Sequence, residues 1–134
     1  MQAKLICRIA EINAECFTSD DKYSSVQFLQ DSDFEYKTVW ADGIIVGYII
    51  YRVFPTHIES LRRAVTNNYR CEGYGLKLSK ALTRISNKTG KSIYTYVSKT
   101  NMPSLNSNIK VGYRIEGIDE HWVYIRYKPP IRQR

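Results

Sequence analysis

Between Ala64 and Leu82 the sequence reads AVTNNYRCEGYGLKLSKAL: an apolar run ends in a polar turn, Gly73 and Gly75 flank Tyr74, and a helical pattern begins at once. Such a junction can hold an anion. The first-turn amides of a helix have no internal acceptor, and the helix dipole adds partial positive charge to them. Glycines at 73 and 75 would let a diphosphate approach the backbone and would tolerate unusual backbone angles, while Arg70 adds a cation. A tight turn with no ligand would use the same two glycines. Two other phosphate motifs are excluded. Leu78 stands where G-x-G-x-x-G needs its third glycine, and Gly90-Lys91-Ser92 has Ile85 at the first-glycine position of a P-loop and precedes a strand pattern, not a helix.

Around this junction the periodicity predicts ten elements. Leu5, Ile6, Ile9, Ile12 and Cys16 recur at helical spacing over residues 4–17, and Asp20 and Asp21 would cap a second short helix through YSSVQFLQ. FEYKTVWADG alternates and ends at Asp42-Gly43, a hairpin signal, and IIVGYIIYRVF continues as a strand that Pro55 stops. HIESLRRAV is the next strand. After the glycines, Leu78, Leu82 and Ile85 share one helical face, and Thr89-Gly90 closes that helix. SIYTYVS then reads as a strand, MPSLNSNIKVG as a short helix, and YRIEGI and HWVYIRYK as two final strands. The expectation is one α/β (α+β) domain over residues 1–134, its core at 4–128 and a basic tail at 129–134. It has a mixed sheet of about six strands and about four helices.

The bulk properties narrow the function classes. At 134 residues with 43% hydrophobic and 25% charged residues, the chain is long enough for a real core and is not of disordered or fibrous type. No apolar run approaches the ~20 residues of a membrane span. Three scattered cysteines, Cys7, Cys16 and Cys71, read as free thiols in a reducing compartment, hence a cytoplasmic location. No secretion signal is expected, and no metal site either, since only His57 and His121 could join the cysteines. The net charge of +7 suits nucleic acid, an acidic surface or a small polyanion alike.

Two segments carry a family resemblance. AVTNNYRCEGYG is similar to the acyl-CoA signature of the GNAT superfamily of N-acetyltransferases, with its R/Q-x-x-G-x-G/A core at Arg70, Gly73 and Gly75 and its strand-end valine at Val65. Asn101-Met-Pro-Ser104 through Lys110-Val-Gly112-Tyr113 resembles the family's N-x-x-S/A…K-x-G-F/Y segment, and the element order agrees over about residues 4–128. The resemblance implies acetyl-CoA in a V between two splayed parallel strands, 58–65 and 92–99. Its pantetheine arm would pair near Val65, and its diphosphate would sit on the amides of Cys71, Glu72, Gly73, Tyr74 and Gly75. Asn101 is the resemblance's cofactor-contacting asparagine, with a helix cap beside Pro103 as the plainer role.

Acyl transfer to an amine needs a neutral amine, a donor for the oxyanion and help for the departing thiolate. A lysine-like amine of pKa ~10.4 is almost wholly protonated near pH 7. Family members place a glutamate on the strand before the valine, which implies Glu59 as base, against a plain ion pair with Arg62 or Arg63. Strict alternation would put Glu59, Leu61, Arg63 and Val65 on one face. The N–H of Val65 would serve the thioester oxygen. Where many relatives have a proton-donating tyrosine this chain has Asn108, which can bond the sulfur but cannot protonate it. Tyr113 reads as a packing aromatic, and Tyr94 and Tyr96 lie on the second cleft strand.

The acceptor is expected to be a primary amine: a peptide N-terminus, a lysine or a small amine. The acidic group Asp20, Asp21, Asp31, Asp33 and Glu35 could attract it, with a solvated face as the default explanation, and EINAECF followed by a polar turn resembles peptide N-terminal acetyltransferases. The residues before the first helix leave no room for the strand with which relatives begin, so a sheet edge could be exposed, covered by the tail or paired in a homodimer. Two alternatives stand beside this reading. A GNAT-fold protein could bind a partner without turnover, as Asn108 allows. An RNA-binding module would suit pI 9.4 and eleven tyrosines, but LKLSKALTRI continues as a helix without aromatics.

Overall fold

The computed structural model describes residues 3–16 and 33–130 of the chain. Helix α1 (Ala3–Cys16) is followed by strands β1 (Glu35–Ala41), β2 (Ile44–Val53) and β3 (His57–Val65), a 3-10 turn (Asn67–Tyr69) and helix α2 (Tyr74–Thr89). Strand β4 (Ser92–Ser98), helix α3 (Met102–Lys110) and strands β5 (Arg114–Ile118) and β6 (Trp122–Tyr127) complete it. The second short helix expected through YSSVQFLQ, and Asp20, Asp21 and Asp31, lie outside the described residues, so three α-helices are seen.

The six strands form one mixed sheet in the order β1-β2-β3-β4-β6-β5. Only β3 and β4 run parallel; every other neighbouring pair is antiparallel. The β1–β2 hairpin turns on Asp42 (φ 52°) and Gly43 (φ 79°), both left-handed, as a two-residue turn of right-handed twist demands. Alternation along β2 sends Tyr48 and Ile50 to one face and Ile49 and Tyr51 to the other. Helix α1 covers the first face, setting Ile9 and Ile12 against Ile45, Tyr48, Ile50 and Ala64. The opposite face carries α2 and α3, with Leu78, Leu82 and Leu105 packed on Ile58, Ile93, Val97, Val123 and Ile125. Each such fully buried aliphatic side chain contributes roughly 1.5–3 kcal/mol. Helix α2 ends on Gly90 at φ 75°, the left-handed cap that the sequence signals.

Among the described residues α1 packs mainly on β2 and β3. Further along the same face, Tyr94, Tyr96, Trp122 and Tyr124 remain partly exposed, the rings of Tyr96 and Trp122 meeting edge to face at 5.0 Å. Strands β3 and β4 pair through three residues each, His57–Glu59 with Ser92–Tyr94. One step further Thr95 Oγ1 donates to the Ser60 carbonyl (2.9 Å) in place of a ladder bond, and the strands then diverge.

Candidate functional site

A cavity of about 660 Å³ opens where β3 and β4 part. Its walls come from β3 (Glu59 to Arg63), β4 (Thr95 to Ser98), Ser79 of α2, Asn101 at the N-cap of α3, and Ser104 and Asn108 of α3. The wall formed by β3 is not a regular strand. Ile50 pairs with Arg62 but Tyr51 pairs with Ser60, which leaves Leu61 as an extra, bulged residue. The bulge corrects the simple alternation. Leu61 packs with the α1 cluster and Glu59 turns to His57, whereas Arg63 and Val65 face α2 and α3. All but Val65 of this set still line the cavity.

Backbone direction follows from the β2–β3 ladder. Thr66 N–H donates to the Val46 carbonyl (2.9 Å) while Val65 is paired with Gly47. In an antiparallel ladder the polar groups alternate sides, so the N–H groups of Val65 and Arg63 point away from β2, into the space that β4 has vacated. The Val65 carbonyl accepts from Arg70 Nε (3.2 Å) and from the Cys16 thiol (3.3 Å), and Arg70 Nη2 also donates to Cys16 Sγ (3.2 Å). Arg70 thus ties the end of β3 to α1 through its guanidinium.

At that mouth Gly73 is the N-cap residue, at φ 90° and ψ 4°. Among the described residues no side chain caps the helix, and its first turn carries no acidic residue; the N–H groups of Tyr74, Gly75 and Leu76 lack intrahelical acceptors. A Cβ at Gly73 would meet nothing within 4 Å: the glycine is required by its dihedral angle, not by space. Gly75 differs. Its angles are helical, and a Cβ there would touch the Arg63 guanidinium at 3.5 Å. Cys71, at φ 64°, is a left-handed non-glycine residue, and Cys71 and Glu72 are both exposed. Tyr74 lies edge-on to Tyr69 (6.0 Å) with Lys77 Nζ 5.2 Å above its ring.

Along the α3 wall Asn101 both caps and lines. Its Oδ1 accepts from Ser104 N–H (3.3 Å), and its side chain borders the cavity. Asn108 is buried and accepts at Oδ1 from the Ser79 hydroxyl (2.9 Å). Tyr113 is 3% exposed among core residues; burial pushes its hydroxyl up, opposed by the nearby Arg63 charge.

At the closed end of the V, Glu59 Oε1 lies 3.3 Å from His57 Nε2, and His57 Nδ1 is 2.9 Å from Thr56 Oγ1. His57 stacks on Phe54 (4.7 Å, 8°) and meets Tyr94 edge-on (5.6 Å). Neither Arg62 nor Arg63 is the partner of Glu59. The sequence reading missed this histidine, although an i, i+2 pair on a strand shares a face and could have revealed it. Glu59 also borders a second cavity of about 250 Å³ on the aromatic face, with Leu61, Tyr94, Tyr96, Glu116 and Tyr124. Both cavities border the same stretch of β3 and β4, with Ser60, Leu61, Thr95 and Tyr96 in each, and Glu59 is the carboxylate they share.

The sequence matches the profile of the acetyltransferase (GNAT) family over residues 6–112. No curated protein matches it significantly. Among solved structures, ribosomal-protein-S18-alanine N-acetyltransferase from Escherichia coli superposes with a TM-score of 0.82 at 14% identity, over 99% of this chain and 93% of that one. PaiA N-acetyltransferase from Thermoplasma acidophilum in complex with coenzyme A gives 0.71 at 20% identity, over 92% and 89%. Campylobacter jejuni N-acetyltransferase PseH in complex with acetyl coenzyme A gives 0.69 at 19%, over 96% and 92%. At these identities the structural likeness concerns the fold.

Proposed function

Since the chain belongs to the GNAT family of acetyltransferases, we propose that it transfers the acetyl group of acetyl-CoA to a primary amine by direct attack in a ternary complex. Acetyl-CoA is the co-substrate and enters the V between β3 and β4. Its diphosphate rests on the free amides of the α2 first turn, from the Cys71–Gly75 loop onward, and its pantetheine arm follows the inward N–H groups of β3, with Asn101 beside it. Solved relatives whose descriptions include coenzyme A or acetyl coenzyme A support this, as does the fit of a cleft with an uncapped helix end.

The observation that carries the reading is the position of Glu59 between the two cavities. An acyl donor in the larger and an amine in the smaller would meet at this carboxylate. As the C–N bond forms, Glu59 takes the amine proton, directly or through a water. The inward N–H groups of Arg63 and Val65 face the side on which oxyanion charge develops. The C–S bond then breaks and the sulfur leaves as thiolate. The aromatic surround of the smaller cavity suits a cationic amine, since ring faces attract ammonium groups. A peptide N-terminus, a lysine and a small amine all satisfy this chemistry.

Thermal unfolding with and without acetyl-CoA tests the premise. A ligand at a hundred times its Kd adds ~2.7 kcal/mol, roughly 8–12 °C for a domain of this length. Acetylation of an amine panel, monitored by free thiol release, then tests transfer. A protein that acetyl-CoA never stabilises would refute the reading.

A further inference from the structure

The larger cavity contains a charge that the reaction scheme above does not use. Arg63 stands on the cleft strand, and burial holds its guanidinium below its ordinary range. Among the described residues it has no carboxylate partner. Nη1 donates to the Gly75 carbonyl (3.0 Å) and the Ser79 hydroxyl (2.5 Å), and Nη2 donates to the hydroxyls of Ser104 (3.0 Å) and Ser107 (2.8 Å). A guanidinium half-withdrawn from water and compensated only by neutral acceptors is costly to bury and would be better matched by an anion.

The polarity of this network can be read from its head. A guanidinium can only donate, and a serine hydroxyl has one proton to pass on. Ser79 accepts from Arg63 and donates to Asn108 Oδ1. Asn108 thereby has its carbonyl oxygen committed toward α2, which leaves its NH₂ as the donor end on a residue that lines the cavity. Arg63, Ser79 and Asn108 form a continuous chain from a fixed positive charge to an N–H donor at the cleft wall.

We propose that this chain stabilises the departing thiolate as an anion: Asn108 donates a hydrogen bond to the sulfur, with Arg63 as a positioning residue acting through Ser79. The inference rests on the acetyl-CoA reading above and adds to it how the leaving group is managed without a proton-donating side chain. The balance is complete. The C–N bond forms as the C–S bond breaks, the amine proton goes to Glu59, the sulfur keeps the electron pair, and the thiolate takes a proton from water after release.

The test is the thiol pKa of bound coenzyme A, followed through the ultraviolet absorbance of the thiolate as pH is raised, with free coenzyme A measured alongside. The wild-type protein should hold the bound thiol about one unit or more below the free molecule, as a nearby cation does. Asn108→Leu and Arg63→Met should each return it to or above the free value, with Arg63→Lys intermediate. Desulfo-coenzyme A, which lacks the thiol, should bind wild type and both variants alike. A bound thiol in wild-type protein that titrates as in free solution overturns the proposal without recourse to any variant. So does an Arg63→Met protein that loses coenzyme A and desulfo-coenzyme A equally, since Arg63 would then serve the diphosphate. If neither molecule stabilises the wild-type protein, the co-substrate reading fails and this inference falls with it; binding with an unperturbed thiol overturns this inference alone.

Discussion

Replacing Gly73 and Gly75 one at a time by alanine should move stability in opposite directions, although the two glycines are only two residues apart. At Gly73 a Cβ meets no atom within 4 Å, so the whole effect comes from φ 90°. Holding an L-residue in the left-handed region costs roughly 1–2 kcal/mol, and a gain of about 0.5 kcal/mol from a less flexible unfolded chain leaves a net loss of about 0.5–1.5 kcal/mol. At Gly75 the backbone is already helical, and a methyl would sit in ordinary contact with the Arg63 guanidinium (3.5 Å). The helix preference for alanine over glycine, ~0.5–1 kcal/mol, then applies almost unopposed. At about 2.1 cal/mol/K per residue, 1 kcal/mol corresponds to roughly 3–4 °C in a domain of this size. Without ligand, Gly73→Ala should therefore lower Tm by about 2–5 °C, and Gly75→Ala should raise it by about 2–4 °C. Differential scanning fluorimetry reads both. Repeating the scan with acetyl-CoA should show Gly75→Ala keeping most of the ligand-induced rise and Gly73→Ala losing much of it, because its loop amides are re-aimed when φ relaxes. Two variants shifted in the same direction, or Gly73→Ala at wild-type stability, would refute the assignment of dihedral constraint to one glycine and not the other.

A different glycine reports on packing. At Gly47 a Cβ would lie 2.9 Å from the Ala64 carbonyl oxygen and 3.0 Å from Val39 Cγ1. Backbone cannot yield cheaply, so Gly47→Ala should cost about 1–2 kcal/mol net, and an unchanged Tm would show that the β1–β2–β3 contact is looser than described. Glu59→Gln should lower kcat for amine acetylation by about 10²–10⁴ while leaving the thermal shift with acetyl-CoA intact; a loss under about threefold would remove Glu59 as the base. At the β5–β6 turn, Asp119 accepts from the Tyr124 hydroxyl (2.6 Å) and from the N–H groups of His121 (2.9 Å) and Trp122 (2.8 Å). These bonds, the Tyr124 hydroxyl foremost, hold its carboxyl below the usual carboxylate range. A lowered folded-state pKa means that the stabilisation is fully present above the unfolded value of ~3.9 and is lost as pH falls through the folded one. Amide exchange at Trp122, corrected for intrinsic rates, should accelerate through that acidic window, and an Asp119→Ala variant should show no such step.

How much of this was legible in the sequence depends on whether the responsible interaction is local. The Asp42-Gly43 turn, the Gly90 cap and the helical stripe of Leu78 and Leu82 follow from dihedral preference and periodicity, which a few neighbouring residues decide. The same holds for Gly73: a positive φ at a helix mouth is a local requirement, and the pairing of that motif with Asn101-to-Tyr113 was enough to indicate the family. Periodicity failed at Leu61. A bulge is created by the register of β3 against β2, which no local pattern encodes, and it moved Glu59 and Leu61 to one face and Arg63 and Val65 to the other.

The sequence by itself determined the order of the described elements, the glycine-led helix mouth, and the chemical capacities of Glu59 as a carboxylate and Asn108 as an amide that cannot supply a proton. Only the tertiary structure decided what those groups face. Arg63 and Ser79 are 16 residues apart, and Ser79 and Asn108 are 29 apart. Their hydrogen-bonded chain exists because α2 and α3 pack on the same face of β3. The meeting of two cavities at Glu59 likewise arises where β3 and β4 stop pairing after three residues. Alternation assigns a face to a side chain; only strand register and helix docking set who lies opposite, and a site depends on that.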